Sequence, residues 1–484
     1  MIVAASGHSG GARHCSSTGP RADHSTASCI AVSADVGTNV GATIAGTCTR
    51  GEPIVERVAI SGHAPPVPRA HALLLEKVHA SADDELARHG VSVRRVDKGL
   101  DEDELIAELL AAPAGPVVVG IRSKTRVTAR VIEAAPALAA IGAFCIGTDQ
   151  IDLVAARRAG IAVFNAPFSS TRSVAELVMA ELVMLSRQVF ARSRAAHEGR
   201  WAKNAAGSHE IRNKTLGIVG YGHIGSQLSV LAEAFGMQVI FHDVVAKLPL
   251  GNARQAASLD DLLARSDFVS LHVPDTENTR RMIGAAELAK MKPDAHLVNA
   301  SRGRVVELQA LREALDSGHV AGAALDVYPQ EPAGESDPFV CDLQGLDNVI
   351  LTPHIGGSTQ EAQAMIGLEV AVAIGRFLGD GRTLGCVNLP QLDLPPPAGM
   401  RGGPGCRVVN VHRNVPGVLS QINRVIAESN VNIAGQGLAT LEDVGLLFVD
   451  LQLAPSEAAA GQLCAAIAAL DTSVRTRLVA LQSL

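Results

Sequence analysis

Three polar residues in the second half of the chain have types that could catalyse the oxidation of an alcohol. Arg302, Glu331 and His354 each come shortly after a short apolar run that predicts a buried strand. The three runs are His296–Asn299, Gly322–Leu325 and Val349–Leu351. Ligands of open α/β sheets bind beyond the carboxyl ends of the strands. The spacing therefore predicts that these three side chains share one site.

Each of these residue types has a specific use when a hydride leaves an alcohol. A histidine titrates in the right range to take the hydroxyl proton, so His354 is the predicted general base. A carboxylate beside it, Glu331, fixes the tautomer and raises the histidine pKa, so that protonated His354 can act as the acid in reverse. Arg302 can bind a substrate carboxylate with two hydrogen bonds and orient the neighbouring carbinol.

The stretch Thr215–Asp243 predicts where the hydride acceptor binds. It reads as strand, glycine turn, helix, second strand and acid, with Gly220, Gly222 and Gly225 in a G-x-G-x-x-G spacing. In such a unit the glycines allow a tight turn, the approach of a pyrophosphate to the backbone and close packing of helix on strand. Asp243, about 20 residues further on, can bind both adenosine ribose hydroxyls and repel a 2′-phosphate. The stretch therefore favours NAD over NADP.

Composition argues against several other functions. A net charge of −7 without a basic block argues against a nucleic-acid surface. No apolar run reaches the roughly 18 residues that a membrane helix needs, and no secretory signal is visible, so no membrane partner is predicted. The eight cysteines have no C-x-x-C spacing. This predicts neither a metal site nor a disulfide framework and favours a reducing cytoplasm.

The elements that position these residues follow a regular order. Strands and helices alternate over Ala72–Phe164, which predicts a parallel sheet with helices on both faces. A capping box at Ser173–Glu176 predicts the start of a long helix that runs to about Arg192. After the nucleotide-binding unit, a predicted helix at about Ser358–Leu378 returns to the first sheet. The second α/β unit is therefore predicted to be inserted in the first.

The C-terminal residues follow a stretch rich in Pro and Gly and read as βαββαβ, the order of a ferredoxin-like module. The sequence thus predicts an α/β fold with a Rossmann-type dinucleotide-binding domain inserted in a flavodoxin-like substrate domain, plus this third module. The predicted segments are a disordered extension at 1–68, the substrate domain at 69–169 and 357–390, the NAD-binding domain at 170–356, a linker at 391–405 and the C-terminal domain at 406–484.

Four motifs are specific enough to indicate a family. They are Gly220–Gly225 (GYGHIG), Asn299–Gly303 (NASRG), Asp326–Pro329 (DVYP) and Pro353–Gly357 (PHIGG). With these motifs the chain, from about residue 70 to its end, resembles the D-isomer-specific 2-hydroxyacid dehydrogenase family, and in particular its short bacterial members with a C-terminal ACT domain. The resemblance implies NAD-dependent oxidation of 3-phospho-D-glycerate to 3-phosphohydroxypyruvate, the first step of L-serine synthesis.

The resemblance also implies roles for individual residues. Arg302 would bind the substrate carboxylate, His354 would be the acid and base, and Glu331 would be its partner. The implied contacts with the cofactor NAD are Gly220, Gly222, His223, Ile224, Gly225, Asp243, His272, Pro274, Ala300, Arg302, Asp326, His354 and Gly357.

A second anionic group on the substrate would bind to the first domain. The resemblance implies that Lys98, Arg122 and Ser123 meet the phosphate, and the sequence independently places a cation and a hydroxyl at a strand end there. Ser170, a substrate-binding position by resemblance, stands where the family usually has asparagine. Serine is shorter, so whether it contacts the substrate is left undecided. Because 2-hydroxyglutarate also carries a second anionic group, its dehydrogenation stays an alternative. A more distant alternative is a binding protein of this fold that senses NAD(H).

In the C-terminal domain, His412, Asn414 and Asn432 match the serine-binding positions of the ACT module. The resemblance implies that L-serine binds there between two paired domains and inhibits the enzyme allosterically. It further implies a homotetramer, in which Trp201 packs across a contact between NAD-binding domains.

Overall fold

The computed structural model describes residues 70–332, 337–395, 397 and 405–481. The extension predicted at residues 1–68 lies outside the described residues, as does most of the predicted linker. The described residues form three sheets of five, seven and four strands. The first two sheets are parallel and the third is antiparallel.

The first sheet follows from the buried apolar runs of the N-terminal half. Its strands have the order β2-β1-β3-β4-β5, and four helices connect them. The elements are β1 (Ala70–Leu75), α1 (Ser81–Arg88), β2 (Val91–Val96), α2 (Glu102–Leu110), β3 (Val117–Ile121), α3 (Ala129–Ala134), β4 (Leu138–Ala143), α4 (Leu153–Arg158) and β5 (Ala162–Phe164). Strand β3 is buried along its whole length, as expected for a parallel strand covered by helices on both faces.

The second sheet contains the glycine-rich unit and the strands that precede the three candidate catalytic residues. Its strand order is β12-β11-β10-β9-β6-β7-β8, so the chain reverses direction across the sheet between β6 and β9. The elements are α5 (Thr171–Ser186), α6 (Val189–His197), β6 (Thr215–Val219), α7 (His223–Ala234), β7 (Gln238–His242), β8 (Arg254–Gln255), α8 (Leu259–Arg265), β9 (Phe268–Leu271), α9 (Ala285–Lys290), β10 (Ala295–Asn299), α10 (Leu308–Asp316), β11 (Val320–Leu325) and β12 (Val349–Leu351).

The long helix predicted up to Arg192 is wrong in two respects. It is interrupted at Gln188, which has a left-handed φ of 52°, and a second helix begins there. The predicted capping box does not form either, since the helix already begins at Thr171. Ser173 instead exchanges a 2.8 Å hydrogen bond with Thr359. A tertiary partner has thus replaced the local cap.

Helix α11 (Gln360–Asp380) carries the chain from the second sheet back to the first. By length and composition it could cross a membrane, and it is the one such helix found in the described part of the chain. Its apolar face is nevertheless occupied, because Val370 and Ile374 are fully buried in a core shared with strands of the first sheet. Helix α11 is therefore a core helix of this fold.

The third sheet has the order β14-β15-β13-β16, with two helices on one face. Its elements are β13 (Cys406–Arg413), α12 (Val418–Glu428), β14 (Ile433–Leu441), β15 (Val444–Leu451), α13 (Ala458–Ala468) and β16 (Ser473–Ala480). The other face packs on the first sheet's domain, where Val409 and Phe448 share a core with Phe377 of α11. Arg407 and Asp450 form a fully buried ion pair inside this contact, with 2.6 Å between Nε and Oδ1.

Candidate active site

The predicted acid and base partners are in contact. Nδ1 of His354 lies 2.8 Å from Oε2 of Glu331, and Oε1 of Glu331 accepts a hydrogen bond from the Tyr328 amide. The hydrogen bond from Glu331 raises the pKa of His354, although partial burial acts in the opposite direction. Burial acts to raise the pKa of Glu331, but the interactions with His354, Tyr328 and Arg302 together outweigh it, so that this pKa lies below its usual value. The pair thus favours an imidazolium beside a carboxylate.

Asp326 holds the loop that carries His354. This carboxylate is 1% exposed. Its Oδ1 accepts from the amide of Ile355 at 2.8 Å and from the hydroxyl of Thr352 at 2.6 Å, and its Oδ2 accepts from the amide of Gly356 at 2.7 Å. The structure therefore shows Asp326 bound to its own chain, and the predicted contact of this residue with the cofactor stays a prediction.

Arg302 reaches from the second sheet to a loop of the first. Its Nη1 donates to the Ser301 carbonyl at 2.8 Å, and its Nε donates to Oδ2 of Asp149 at 3.3 Å. Gly147, two residues earlier, leaves the room for this contact, since a Cβ there would lie 2.6 Å from Nη2 of Arg302. Sequence analysis did not identify Asp149, although the strand-end position of Gly147–Asp149 was a signal that could have found it.

The predicted phosphate-binding residues lie on two adjacent loops of the first sheet. The amide of Leu100 donates to Oγ1 of Thr125 at 3.2 Å, which joins the loop of Lys98 to the loop of Arg122 and Ser123. The ammonium of Lys98 is exposed and lies 2.6 Å from Glu104, so it is paired with a carboxylate of its own domain.

Cys145, just after β4, lies near both the loop of Arg122 and Ser123 and the segment that Arg302 contacts. Burial raises the pKa of the Cys145 thiol to about 11, while the charges of both Arg302 and Arg122 act to lower it. Sγ of Cys145 lies 3.5 Å from the Arg122 carbonyl oxygen and 3.1 Å from that of Gly147, and the Arg302 guanidinium lies beside Gly147. The backbone of Arg122 and the side chain of Arg302 thus both contact the segment Cys145–Asp149.

Ser170, the predicted substrate-binding residue at the position of the family's asparagine, is buried. It is 2% exposed and lies at the start of α5, with its Cβ 3.3 Å from the position of a Cβ on Gly357. The segment at Gly357 packs over Ser170 and accounts for its burial. The substrate contact at Ser170 stays a prediction.

The glycines of the fingerprint have three different surroundings. A Cβ at Gly220, whose φ is +93°, would collide with the carbonyl oxygen of His272, and a Cβ at Gly225 would collide with the carbonyl oxygen of Gly220. These two glycines are required by the packing of the chain on itself. Gly222, at the N-cap of α7, has no atom within 4 Å of such a Cβ. The space next to its Cα is therefore open, and it lies at a helix N-terminus, where phosphates bind.

Two polar groups at this edge remain available to a ligand. Oδ2 of Asp243 accepts only from the Tyr221 amide and Oδ1 only from the Val245 amide among the described residues, which leaves lone pairs on both oxygens. Burial lowers the pKa of His272 to about 4, so its ring is neutral. Its Nε2 is hydrogen-bonded to Ser270, but its buried Nδ1 has no partner in the described chain.

The remaining predicted cofactor residues border the same edge. The ring of His223 contacts Phe168 with 4.4 Å between centroids, Ile224 packs partly on the core below α7, and Ala300 follows β10. Pro274 follows β9, and its carbonyl accepts from the hydroxyl of Thr279 at 2.5 Å. These positions are compatible with the predicted contacts, which the structure does not test.

Comparison with known proteins identifies the family. Residues 179–356 match the model described as "D-isomer specific 2-hydroxyacid dehydrogenase, NAD binding domain". The chain is 50% identical over 407 residues to D-3-phosphoglycerate dehydrogenase of Escherichia coli, which covers 84% of this chain and 97% of that protein. The chain belongs to the D-isomer-specific 2-hydroxyacid dehydrogenase family. A second relative with the same name, from Dictyostelium discoideum, is 46% identical over 86% of this chain and 98% of its own length.

Solved structures agree with this dehydrogenase fold. A glyoxylate reductase from Paecilomyes thermophila matches with a TM-score of 0.59 and 31% identity, covering 66% of this chain and 98% of the other. D-lactate dehydrogenase from Aquifex aeolicus, complexed with NAD and lactic acid, matches with a TM-score of 0.56 and 28% identity, covering 63% and 95%. Residues 410–475 match the model "AHAS small subunit-like ACT domain". The third sheet is therefore an ACT domain.

The dehydrogenase uses NAD, and the residues of the second sheet fit it. The open N-terminus of α7 at Gly222 would hold the pyrophosphate and Asp243 the adenosine ribose, with Gly220 and Gly225 shaping the turn between them. At that position the Asp243 carboxylate would repel the negative charge of a 2′-phosphate and so favour NAD over NADP.

Gly222 provides a test of this fit. In Gly222→Ala the fold should be unchanged, because the Cβ enters open space at an ordinary φ of −83°. The Cβ should instead meet the pyrophosphate and weaken NADH binding by about 1–3 kcal/mol, that is about 5- to 150-fold. Fluorescence titration of NADH and the thermal midpoint measure the two effects. Gly225→Ala is the matched control and should lower the thermal midpoint. Unchanged NADH affinity in Gly222→Ala would contradict the assignment.

The hydrogen bond that His354 donates to Glu331 leads to a second prediction. In Glu331→Gln the neutral amide cannot stabilise the imidazolium, so the pKa of His354 should fall. The protonated form will then be lost at a lower pH than in the wild type as the pH rises. A pH titration followed by NMR of the His354 ring measures this, with Glu313→Gln on the exposed face of α10 as control. An unchanged His354 pKa would show that the pair is not coupled.

Proposed function

We propose that this dehydrogenase oxidises 3-phospho-D-glycerate to 3-phosphohydroxypyruvate, the first step of L-serine synthesis. The observation that carries the proposal is that the segment Cys145–Asp149 contacts both the Arg302 side chain, through Asp149, and the backbone of Arg122, through Cys145. Such an arrangement offers one cation to the carboxylate of a short substrate and another to an anionic group at its far end. The relatives named D-3-phosphoglycerate dehydrogenase, which align over nearly their whole length, support this choice.

In the proposed reaction Arg302 binds the substrate carboxylate and so exchanges its contact with Asp149 for a ligand. His354 uses Nε2 to take the proton of the hydroxyl group, because its Nδ1 is held by Glu331. Bound NAD supplies the acceptor for the hydride. In the reverse direction the imidazolium, stabilised by Glu331, returns the proton to the carbonyl oxygen. The partial exposure of His354 allows this proton to exchange with water.

The far end of the substrate is assigned to Lys98, Arg122 and Ser123. Lys98 is paired with Glu104, and this exposed pair is weak enough for a phosphate to compete with it. The same cations could meet the distal carboxylate of 2-hydroxyglutarate, so that substrate is the second candidate. The hydrogen bond between His354 and Glu331 favours an enzyme over a protein that only senses NAD(H).

We also propose regulation by L-serine, supported by the geometry of the ACT domain. His412 and Asn414 lie at the end of β13 that pairs with Val444, whereas Asn432 precedes β14 at the opposite end of the sheet. One chain therefore keeps these residues apart, and two domains related by a two-fold axis would bring them together. Edge strand β14 has a free side among the described residues, which suits such pairing.

A homotetramer follows if a second contact joins the NAD-binding domains. Trp201 is 85% exposed and Phe190 is 40% exposed, so this surface offers apolar side chains to a partner copy.

The predicted domain boundaries remain part of this proposal, supported by the sheet to which each strand belongs. A cytoplasmic location is supported by the five described cysteines, all of which are free thiols.

The substrate is tested by NADH consumption with 3-phosphohydroxypyruvate and, in parallel, with 2-oxoglutarate. We expect a higher kcat/KM with 3-phosphohydroxypyruvate. Removing the acid in His354→Ala should lower kcat by about 10²–10⁴-fold while NADH still binds. Turnover of 2-oxoglutarate alone would move the enzyme out of serine synthesis, and loss of NADH binding in the variant would remove the role given to His354.

The regulatory site is tested by repeating the assay with L-serine. Asn414 is exposed at the end of β13 and donates to the carbonyl of Glu442 at 3.1 Å. Asn414→Ala should keep the uninhibited rate and raise the serine concentration needed for half inhibition by about tenfold, the effect of losing one hydrogen bond of about 1.4 kcal/mol. Gln421→Ala, on the ACT helix α12, is the control. Equal inhibition of wild type and Asn414→Ala would contradict the site.

A further inference from the structure

Glu76, which directly follows β1, has an unusual position for a carboxylate. It is 7% exposed and has a left-handed φ of 58°. Its Oε2 accepts from the amides of Ser123 and Lys124 at 2.9 and 3.0 Å, and its Oε1 accepts from the amide of Thr125 at 2.7 Å. One buried carboxylate thus binds three successive amides of a loop that belongs to another strand.

The contacts of Glu76 hold the loop of residues 123–125 in place. Successive amide groups that point to one side form a concave site for an anion, and here the anion is supplied by the chain itself. A non-glycine residue with positive φ costs about 1–2 kcal/mol, so the conformation persists because the contacts of Glu76 offset it. Hydrogen bonds to a charged group are roughly twice as strong as neutral ones. The loop is therefore fixed by Glu76.

The loop that Glu76 fixes carries the candidate groups for the far end of the substrate. Arg122 and Ser123 are on it, and the Arg122 side chain bends back toward the Glu76 carbonyl at 3.5 Å. The neighbouring loop rests on it as well, because a Cβ at Gly99 would lie 3.3 Å from Cβ of Lys124. Lys98 precedes that contact by one residue. Glu76 thus binds the loop of Arg122 directly and supports the loop of Lys98 through it.

We propose that Glu76 is a positioning residue for recognition of the distal anionic group of the substrate. It acts through Arg122 and Ser123 and touches neither the substrate nor the cofactor. By occupying the amides of residues 123–125 it also leaves the recognition of that group to side chains. The inference rests on the proposed function in one respect, namely that the loop of Arg122 meets the distal anion.

The test compares Glu76→Ala and Glu76→Gln with the wild type. Glu85→Gln is the matched control, since Glu85 is another buried carboxylate of the same domain but contacts Arg88 of its own helix and His89 at the end of that helix. The measurements are KM and kcat for 3-phosphohydroxypyruvate and for 2-oxoglutarate, the NADH affinity and the thermal midpoint. Glu76→Gln keeps one acceptor oxygen and nearly the same volume, so it serves if Glu76→Ala does not fold.

We expect KM to rise by about tenfold in Glu76→Ala and by less in Glu76→Gln, with kcat and NADH affinity nearly unchanged. A structural role alone would lower the thermal midpoint without this selective rise in KM. In the background of Arg122→Ala, the change Glu76→Ala should raise KM by much less than it does in the wild type, because both act on one interaction. Additive effects, or a fall in kcat and NADH affinity with constant KM, would overturn the proposal.

Failure of the proposed function gives a different result. If the wild type reduces 2-oxoglutarate but not 3-phosphohydroxypyruvate, the substrate assignment fails, and the same variants are judged on the KM for 2-oxoglutarate, whose distal carboxylate depends on the same loop. If the wild type reduces 3-phosphohydroxypyruvate and Glu76→Ala has an unchanged KM, only the role of Glu76 fails.

Discussion

The site depends on the buried carboxylate of Asp326. It accepts three hydrogen bonds from the segment Thr352–Gly356, at the point where the chain leaves the second sheet for the first. His354 in that segment has a left-handed φ of 54°, which costs about 1–2 kcal/mol for a residue with a side chain. Charge-assisted hydrogen bonds in a buried setting are strong enough to offset this cost. Without them neither the direction of the imidazole nor its contact with Glu331 would be fixed.

A second buried acid near Asp326 has the opposite environment. Glu181 on α5 is 1% exposed, and its two oxygens have no hydrogen-bond partner in the described chain. Burial, and secondarily the charge of Asp326, raise its pKa to about 8. Glu181 is therefore largely protonated at neutral pH. No donor in the described chain stabilises its charged form, whereas Asp326 accepts three hydrogen bonds.

The sequence predicted most strands and helices and the contact between His354 and Glu331, since apolar period and strand-end position are local properties. The interruption at Gln188 and the absence of a cap at Ser173 were not predictable in this way, because tertiary contacts decide both. The same holds for Asp149 and Glu76. Each forms its contact with a residue far away in the chain, and no local pattern distinguishes such a carboxylate from one on the surface. The burial of Ser170 depends likewise on the packing of a segment that follows much later.

Helix α11 shows how one element can serve both the site and the ACT domain. Its N-cap Thr359, a few residues beyond His354, is hydrogen-bonded to Ser173 of α5. At its other end the Asp380 carbonyl accepts from buried Arg407, and the ring and carbonyl of Phe377 contact Arg477. A helix of 21 residues spans about 30 Å as a stiff rod. Since densely packed elements move as units rather than deform, a displacement of the ACT sheet on this helix would shift the loop that holds His354. The proposed serine inhibition requires a connection of this kind, and α11 supplies one through contacts that are already made.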